Sequence, residues 1–186
     1  IPESPVSADN GLKGLTIEAF DAKLHERASF CCGVGQIDNY LKLTAKKGVK
    51  ADLVRIWVLV DPARKIVGFY GLNMHAVAAQ DMPQTYAKKA MRHGTLPAAF
   101  IAMIGVDLNH QGKGLGGVLL ADALSRIGRI SAEIGTCAVL LDVIDDGDAE
   151  TILRRKTYYE SFGFQSLPDQ PRRLFMPIQT VRALSG

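Results

Sequence analysis

Between two apolar segments, the stretch Asn109-His-Gln-Gly-Lys-Gly-Leu-Gly116 brings alternating glycines, a lysine and a glutamine into one turn. Glycines at such spacing let backbone N–H groups approach a ligand closely. The run that follows places Val118, Leu119, Leu120, Ala123, Leu124, Ile127 and Ile130 at three- and four-residue steps, which predicts a helix. A helix N-terminus offers unpaired donors and partial positive charge, so this turn suits a pyrophosphate. As Gly112-x-Gly114-x-x-Gly117 it fits the dinucleotide fingerprint, with Glu133 or Asp142 as ribose partners. That fingerprint sets its first glycine at a strand end within a repeating βαβ sheet. Here Asn109, His110 and Gln111 intervene, and about a hundred residues of different character come first. A Walker A loop is excluded because Gly114 follows Lys113. Asp107, Asp145 and Asp146 lie near predicted strand ends as candidate proton acceptors, and none is assigned as a base.

The elements that must position this turn are legible on either side of it. Ala98 to Leu108 is an apolar, buried strand, and the helix runs on toward Ile134. Upstream, Leu15–Phe20 alternates as a first strand, and Gln36 to about Lys47 is a helix with Ile37, Tyr40, Leu41 and Thr44 on one face. Arg55–Val60 and Ile66–Met74 form a β-meander around an Asp61-Pro-Ala-Arg-Lys65 turn, with Gly68 and Gly71 suggesting a bend. Pro83–Met91 reads as a short helix carrying Lys88, Lys89, Arg92 and His93 at its end. Downstream, Cys137–Ile144 is a second buried strand. Asp148 caps a helix over Ala149–Phe162, and Gly163 ends it. Phe164–Leu167 and Arg173–Met176 form a closing hairpin, with Pro168 and Pro171 in its loop, and Ile178–Leu184 is a last helical turn.

Three segments together resemble the GNAT (Gcn5-related) N-acetyltransferase superfamily. Ile104-Gly-Val-Asp-Leu-Asn-His-Gln-Gly-Lys-Gly-Leu-Gly resembles its strand end and Gln-x-x-Gly-x-Gly acyl-CoA loop. Tyr158-Tyr-Glu-Ser-Phe-Gly-Phe164 is similar to its Tyr-x-x-aromatic-Gly-Phe segment. Ser29-Phe-Cys-Cys-Gly33 and Ile37-Asp-Asn-Tyr-Leu41 resemble one branch, the acetyltransferase toxins of bacterial toxin–antitoxin modules. The likeness implies an α/β GNAT fold, a mixed central β-sheet with splayed central strands flanked by helices. Residues 1–14 would be a loose lead-in and 15–186 a single domain. It implies acetyl-CoA as cosubstrate, its pantetheine paired with the backbone of Ile104, Gly105 and Val106, and its pyrophosphate on Gln111, Gly112, Lys113, Gly114, Leu115 and Gly116. The Val106 N–H is the expected oxyanion donor. Tyr159, four residues before Gly163, stands where the family places its general acid.

For the toxin branch, the resemblance implies acetylation of the primary amine of an aminoacyl-tRNA. It also implies an antitoxin partner with a ribbon–helix–helix DNA-binding part, and it admits a homodimer. Basic stretches at 42–50, 88–93 and 154–156 are the tRNA-facing candidates. Alternatives are an acetyltransferase of a small amine or protein N-terminus, and a non-catalytic acyl-CoA-binding module. A net charge of +3 permits a basic face without demanding nucleic acid. No apolar run reaches the ~18–20 residues that span a bilayer, and no signal-peptide pattern opens the chain, so no membrane role is expected. Three cysteines without a C-x-x-C pair, and four scattered histidines, argue for a reducing cytoplasm and against a metal site.

Overall fold

The computed structural model describes residues 14–88, 90 and 94–185. The expected lead-in, Gly14 apart, lies outside them, as do Lys89, Arg92 and His93 of the cationic cluster. Strands β1 (Thr16–Ala19), β2 (Arg55–Val60), β3 (Ile66–Ala78), β4 (Thr95–Val106), β5 (Ala138–Asp142), β6 (Gln165–Leu167) and β7 (Gln170–Pro177) form one seven-stranded sheet in the order β1-β2-β3-β4-β5-β7-β6. The helices are α1 (Gly35–Asn39), α2 (Ala45–Lys50), α3 (Gln84–Ala87), α4 (Leu115–Ile130), α5 (Ala149–Glu160) and α6 (Ile178–Ser185). This is the mixed sheet with flanking helices that the sequence predicts. The chain divides into two compact units, one built from residues up to Gly71 with Met103–Ala121, the other from Leu72–Ala102 with the residues after Ala121.

In the first unit, β1 pairs antiparallel with β2 from Thr16↔Val60 to Ala19↔Trp57. Asp61 closes the β2–β3 turn, its carboxylate accepting from the N–H groups of Ala63 and Lys65 at 2.9 Å each. The helix expected near residues 36–47 extends over α1, a π turn at Tyr40–Thr44, and α2. It buries Ile37, Leu41 and Ala45. Phe30 meets Phe69 edge-on at 5.4 Å, and Tyr40 stacks on Phe69 at 6.3 Å. Gly68 matters for space: a Cβ there would sit 2.8 Å from Leu119 Cδ1 and 3.1 Å from the Gly105 carbonyl oxygen. The missing side chain therefore lets the start of α4 close onto β3.

In the second unit, β5 runs parallel to β4 from Ala98↔Ala138 to Ile101↔Leu141 and antiparallel to β7. Its unbroken apolar composition fits a strand buried on both faces. Asp148 caps α5, accepting from Glu150 N–H and Thr151 N–H at 3.3 Å each, and Gly163 follows at φ +98°. Several boundaries differ from expectation, β4 among them, which begins at Thr95 and ends at Val106. Helix α4 stops at Ile130, where Ser131 Oγ turns back onto the Gly128 carbonyl at 2.6 Å. Strand β3 continues to Ala78. Pro171 lies inside β7, beyond the last β5–β7 pair Asp142↔Arg173, where no ladder donor is required of it.

Gly68→Ala is expected to destabilise the protein by about 1–3 kcal/mol, because Leu119 and the Gly105 carbonyl leave no room for a methyl. Denaturant titration checks this through a lowered midpoint at unchanged slope.

Candidate active site

Pairing between β4 and β5 ends at Ile101↔Leu141, five residues before β4 itself ends at Val106. Burial changes at the same place: Ala98, Ala99 and Ile101 are buried, whereas 102–106 are partly open. The Asp107 N–H donates to the Val67 carbonyl at 2.8 Å, which turns that residue's backbone toward β3. Backbone groups alternate along a strand, so the N–H and C=O groups of Val106 and Ile104 face the opposite edge. The expected pantetheine-pairing residues and the expected oxyanion donor thus share one edge.

The turn after β4 is braced from two sides. Buried Asp107 accepts from the N–H groups of Cys31 and Asn109 at 3.1 Å each and from Asn109 Nδ2 at 3.0 Å. The Leu108 N–H reaches back to the Cys31 carbonyl at 2.8 Å. Burial alone would raise the Asp107 pKa, but bonds from Cys31 and Asn109 outweigh it, with the His110 imidazole nearby, and hold the carboxyl below its ordinary value. Asp107 is therefore a structural anion and not a proton acceptor. The Gln111 side chain is a clamp as well, its Nε2 donating to the Cys32 carbonyl at 3.0 Å and the Val106 carbonyl at 2.9 Å. The pairing of residues 31–32 with 107–111 is absent from the sequence signals, because nothing in the spacing links positions so far apart.

Beyond the brace, Gly112 and Gly114 adopt φ +76° and +75°, a conformation in which a Cβ is strained. Helical bonding in α4 begins with the N–H groups of Gly117 and Val118 on the Gly114 carbonyl. The preceding N–H groups are the free donors of a helix start. Gly112, Lys113, Gly114, Leu115 and Gly116 thus lie on the turn and first residues of a helix start, where an anion is favoured.

In the second unit, Tyr159 lies on α5 with its ring edge-on to Tyr158 at 5.6 Å and to Phe164 at 6.3 Å. Burial, then the neighbouring Tyr158, push its phenol up to about 12 against the pull of Arg155. Its hydroxyl makes no hydrogen bond among the described residues. Tyr158 is 42% exposed and packs edge-on against Phe162 at 5.1 Å. The other two candidate bases are engaged: Asp146 with Arg155 at 2.7 Å, which lowers its pKa, and Asp145 with Arg172.

Among the tRNA-facing candidates, Lys46, Lys47 and Lys50 are exposed, and Lys42 is half-exposed. None of the four joins an ion pair among the described residues. In the 154–156 stretch, Arg155 is committed to Asp146 and Lys156 lies 3.6 Å from Glu160, which leaves Arg154 as its exposed cation. Cys31 is exposed and Cys32 buried, its thiol pushed up to about 12 chiefly by burial. No group of three metal-ligating side chains occurs among the described residues, and none of their helices is long and apolar enough to cross a membrane.

No protein-family model matches the sequence. The chain is 44% identical over 180 residues to the probable toxin TacT of Sinorhizobium fredii (strain NBRC 101917 / NGR234), covering 96% of this chain and 99% of that one. It is 30% identical over 158 residues to the tRNA-acetylating toxin of Mycobacterium tuberculosis (strain ATCC 25618 / H37Rv), covering 85% and 89%. In structure it is similar to AtaT complexed with acetyl-methionyl-tRNAfMet, with TM-score 0.80, 22% identity and coverage of 92% and 99%. It is likewise similar to an AtaT mutant bound to acetyl-CoA and the C-terminus of the antitoxin AtaR, with TM-score 0.75, 20% identity and coverage of 92% and 98%. An α/β sheet whose strand β4 outruns its parallel neighbour and feeds a glycine turn defines an acetyltransferase of the GNAT type. Within that class, the chain belongs to the family of TacT-like acetyltransferase toxins.

Two expectations follow from this geometry. Gly114→Asp should abolish acetyl-CoA binding in calorimetry while the circular dichroism spectrum is retained, since it adds strain and like charge at φ +75°. Asp107 has a lowered native pKa, so its contribution is complete above the unfolded value of about 3.9 and is lost as pH falls through the native one. Asp107→Asn should lower stability at pH 7 by roughly 1–3 kcal/mol and flatten the acid limb of a stability-against-pH curve.

Proposed function

We propose that this chain transfers the acetyl group of acetyl-CoA to the primary amine of an aminoacyl-tRNA, and so acts as a toxin that blocks translation. Its membership of a family with a tRNA-acetylating toxin is the observation that carries this reading. The proposed partner is an antitoxin, as AtaR is for AtaT, with the ribbon–helix–helix part that the sequence resemblance implies.

The cosubstrate is held at two places. Its pantetheine adds as a strand to the free edge at Ile104 and Val106, and its pyrophosphate rests on the turn at Gly112–Gly116. The amine nitrogen forms a bond to the thioester carbonyl carbon, and the carbonyl oxygen becomes an oxyanion. The Val106 N–H is the donor assigned to that oxyanion; losing such a donor raises a barrier by ~3–4 kcal/mol. The C–S bond then breaks, sulfur leaves with the electron pair and takes a proton, and the amine gives one up. Lys42, Lys46, Lys47, Lys50 and Arg154 are proposed to meet the phosphate backbone.

Tyr159 is assigned to the leaving sulfur. With its phenol near 12 and an ordinary thiol near ~8.5, full proton transfer would be uphill by about 5 kcal/mol. The role that fits is hydrogen-bond donation to sulfur as negative charge develops, in a phenol that stays protonated across the physiological range.

The test follows label from acetyl-CoA into a charged-tRNA pool, an uncharged pool, and a panel of polyamines and peptides. Label in charged tRNA alone, with Tyr159→Phe reducing the rate at least about a hundredfold at unchanged acetyl-CoA affinity, is expected. No loss of wild-type rate assignable to phenol ionisation should appear below about pH 11. Label confined to small amines or peptides would discard the tRNA substrate.

A further inference from the structure

In the first unit, the short 3₁₀ turn Leu108–His110 joins β4 to the glycines and ends in a histidine. His110 Nδ1 is buried and makes no hydrogen bond among the described residues. Asp107 Oδ1 stands 3.7 Å from it, too far for a hydrogen bond. That oxygen already accepts from Asn109 N–H and Asn109 Nδ2, and Oδ2 accepts from Cys31 N–H. The His110 N–H donates to the Asp107 carbonyl at 2.8 Å, so the backbone holds this residue independently of its ring. Only Nδ1 of the ring is shut in, and the side chain is 33% exposed. Its open side therefore carries Nε2.

The orphaned nitrogen constrains the ring. A lone pair on Nδ1 would be repelled by the carboxylate facing it, whereas a proton there is attracted, so the favoured tautomer places the hydrogen on Nδ1. Nε2 of the neutral ring is then an acceptor, and only the charged ring donates from both sides. A buried N–H without a partner is unfavourable, and its attraction to Asp107 grows when the ring is charged. An anion on the Nε2 side supplies that condition. His110 lies two residues before Gly112, which sets their Cα atoms within ~8 Å of each other. Gly112–Gly116 is where the pyrophosphate of acetyl-CoA is proposed to rest. Lys113, the other basic residue of this turn, has its Nζ on the Asn109 carbonyl at 3.2 Å.

We propose that His110 is a phosphate ligand for acetyl-CoA, oriented by Asp107. Its Nε2–H donates to a phosphate oxygen of the cosubstrate while Nδ1–H faces the Asp107 carboxylate. The charged ring then stands between two anions, one belonging to the protein and one to the ligand. His110 takes no part in the acetyl transfer and keeps both protons throughout. Asp107 thus has a second task beside bracing the loop, which is to aim this ring. The inference rests on acetyl-CoA as the cosubstrate, and its experiment separates the two.

Two amides separate the two nitrogens, since glutamine sets a donor near the place of Nε2 and asparagine near that of Nδ1. Wild type, His110→Ala, His110→Gln and His110→Asn are titrated by calorimetry with acetyl-CoA and with its 3′-dephospho form, and circular dichroism checks the fold. His110→Ala should bind acetyl-CoA about tenfold more weakly than wild type. His110→Gln should recover part of that loss and His110→Asn none of it. An equal loss on the dephospho ligand assigns the contact to the pyrophosphate, and a loss confined to acetyl-CoA assigns it to the 3′-phosphate. In rate assays, the preference of His110→Ala for acetyl-CoA over S-acetylpantetheine, which carries no phosphate, should fall by the same factor. Acetyl-CoA affinity within about twofold of wild type in His110→Ala, equal recovery by asparagine and glutamine, or an unchanged preference over S-acetylpantetheine would each overturn the ligand role. Binding of acetyl-CoA without transfer to any amine would discard the transferase reading, and the affinity ratios would still decide His110. A wild type that does not bind acetyl-CoA would overturn both.

Discussion

A strand that outlasts its neighbour leaves backbone donors and acceptors without a ladder, and each must be satisfied or kept available for a purpose. Strand β4 is in that position beyond Ile101, where its pairing with β5 ends. On the β3 side the backbone stays engaged, as the Asp107–Val67 bond shows. On the other edge, the Val106 carbonyl is taken by the Gln111 side chain, and the remaining groups of Ile104 and Val106 stay in register because the ends of the segment are pinned. A free edge that could flex would be a poor template for an added strand. Asp107 and Gln111 make it rigid by fastening it to Cys31 and Cys32, so the proposed binding edge is fixed by side chains that need not touch the ligand.

The same bracing orders the electrostatics. Asp107 is the anion nearest the glycine turn in sequence, and it spends its lone pairs on N–H groups of its own loop. The phosphate proposed for Gly112–Gly116 would therefore meet helix-start donors and Lys113, whose Nζ donates to the Asn109 carbonyl at 3.2 Å. Elsewhere, Asp145 and Asp146 are matched with Arg172 and Arg155, and Asp142 with Arg173. Lys42, Lys46, Lys47 and Lys50, which join no ion pair among the described residues, are free for the polyanion proposed above, an attraction that weakens steeply with salt.

Local patterns were legible in the sequence where one physical period or one residue type decides the structure. The Arg55–Val60 strand, the Asp148 cap and the glycine turn were readable because β-branched runs, capping oxygens and positive-φ glycines act within a few residues. The fold class came from resemblance, through the coincidence of a strand end, an acyl-CoA-type turn and a downstream tyrosine segment. What remained hidden depends on pairs distant in sequence. Asp107, Asp145 and Asp146 looked alike as candidate bases until Cys31, Arg172 and Arg155 were seen beside them. The Gln111 side chain's bonds to the Cys32 and Val106 carbonyls had no local signal, because Cys32 lies far away in the sequence.

In the proposed reaction, the state of Tyr159 constrains where protons can go. A phenol raised by burial cannot deliver its proton to an ordinary thiolate at little cost, yet it can lower the barrier by sharing that proton as the C–S bond lengthens. Its advantage is therefore confined to the transition state, where charge on sulfur is partial, and it adds little to ground-state binding. Burial suits the proposed role in two ways: it keeps the hydroxyl protonated, and it would strengthen a hydrogen bond from that hydroxyl to sulfur. An amine that reaches the carbonyl already neutral then completes the balance, with no carboxylate of the protein required to change its charge.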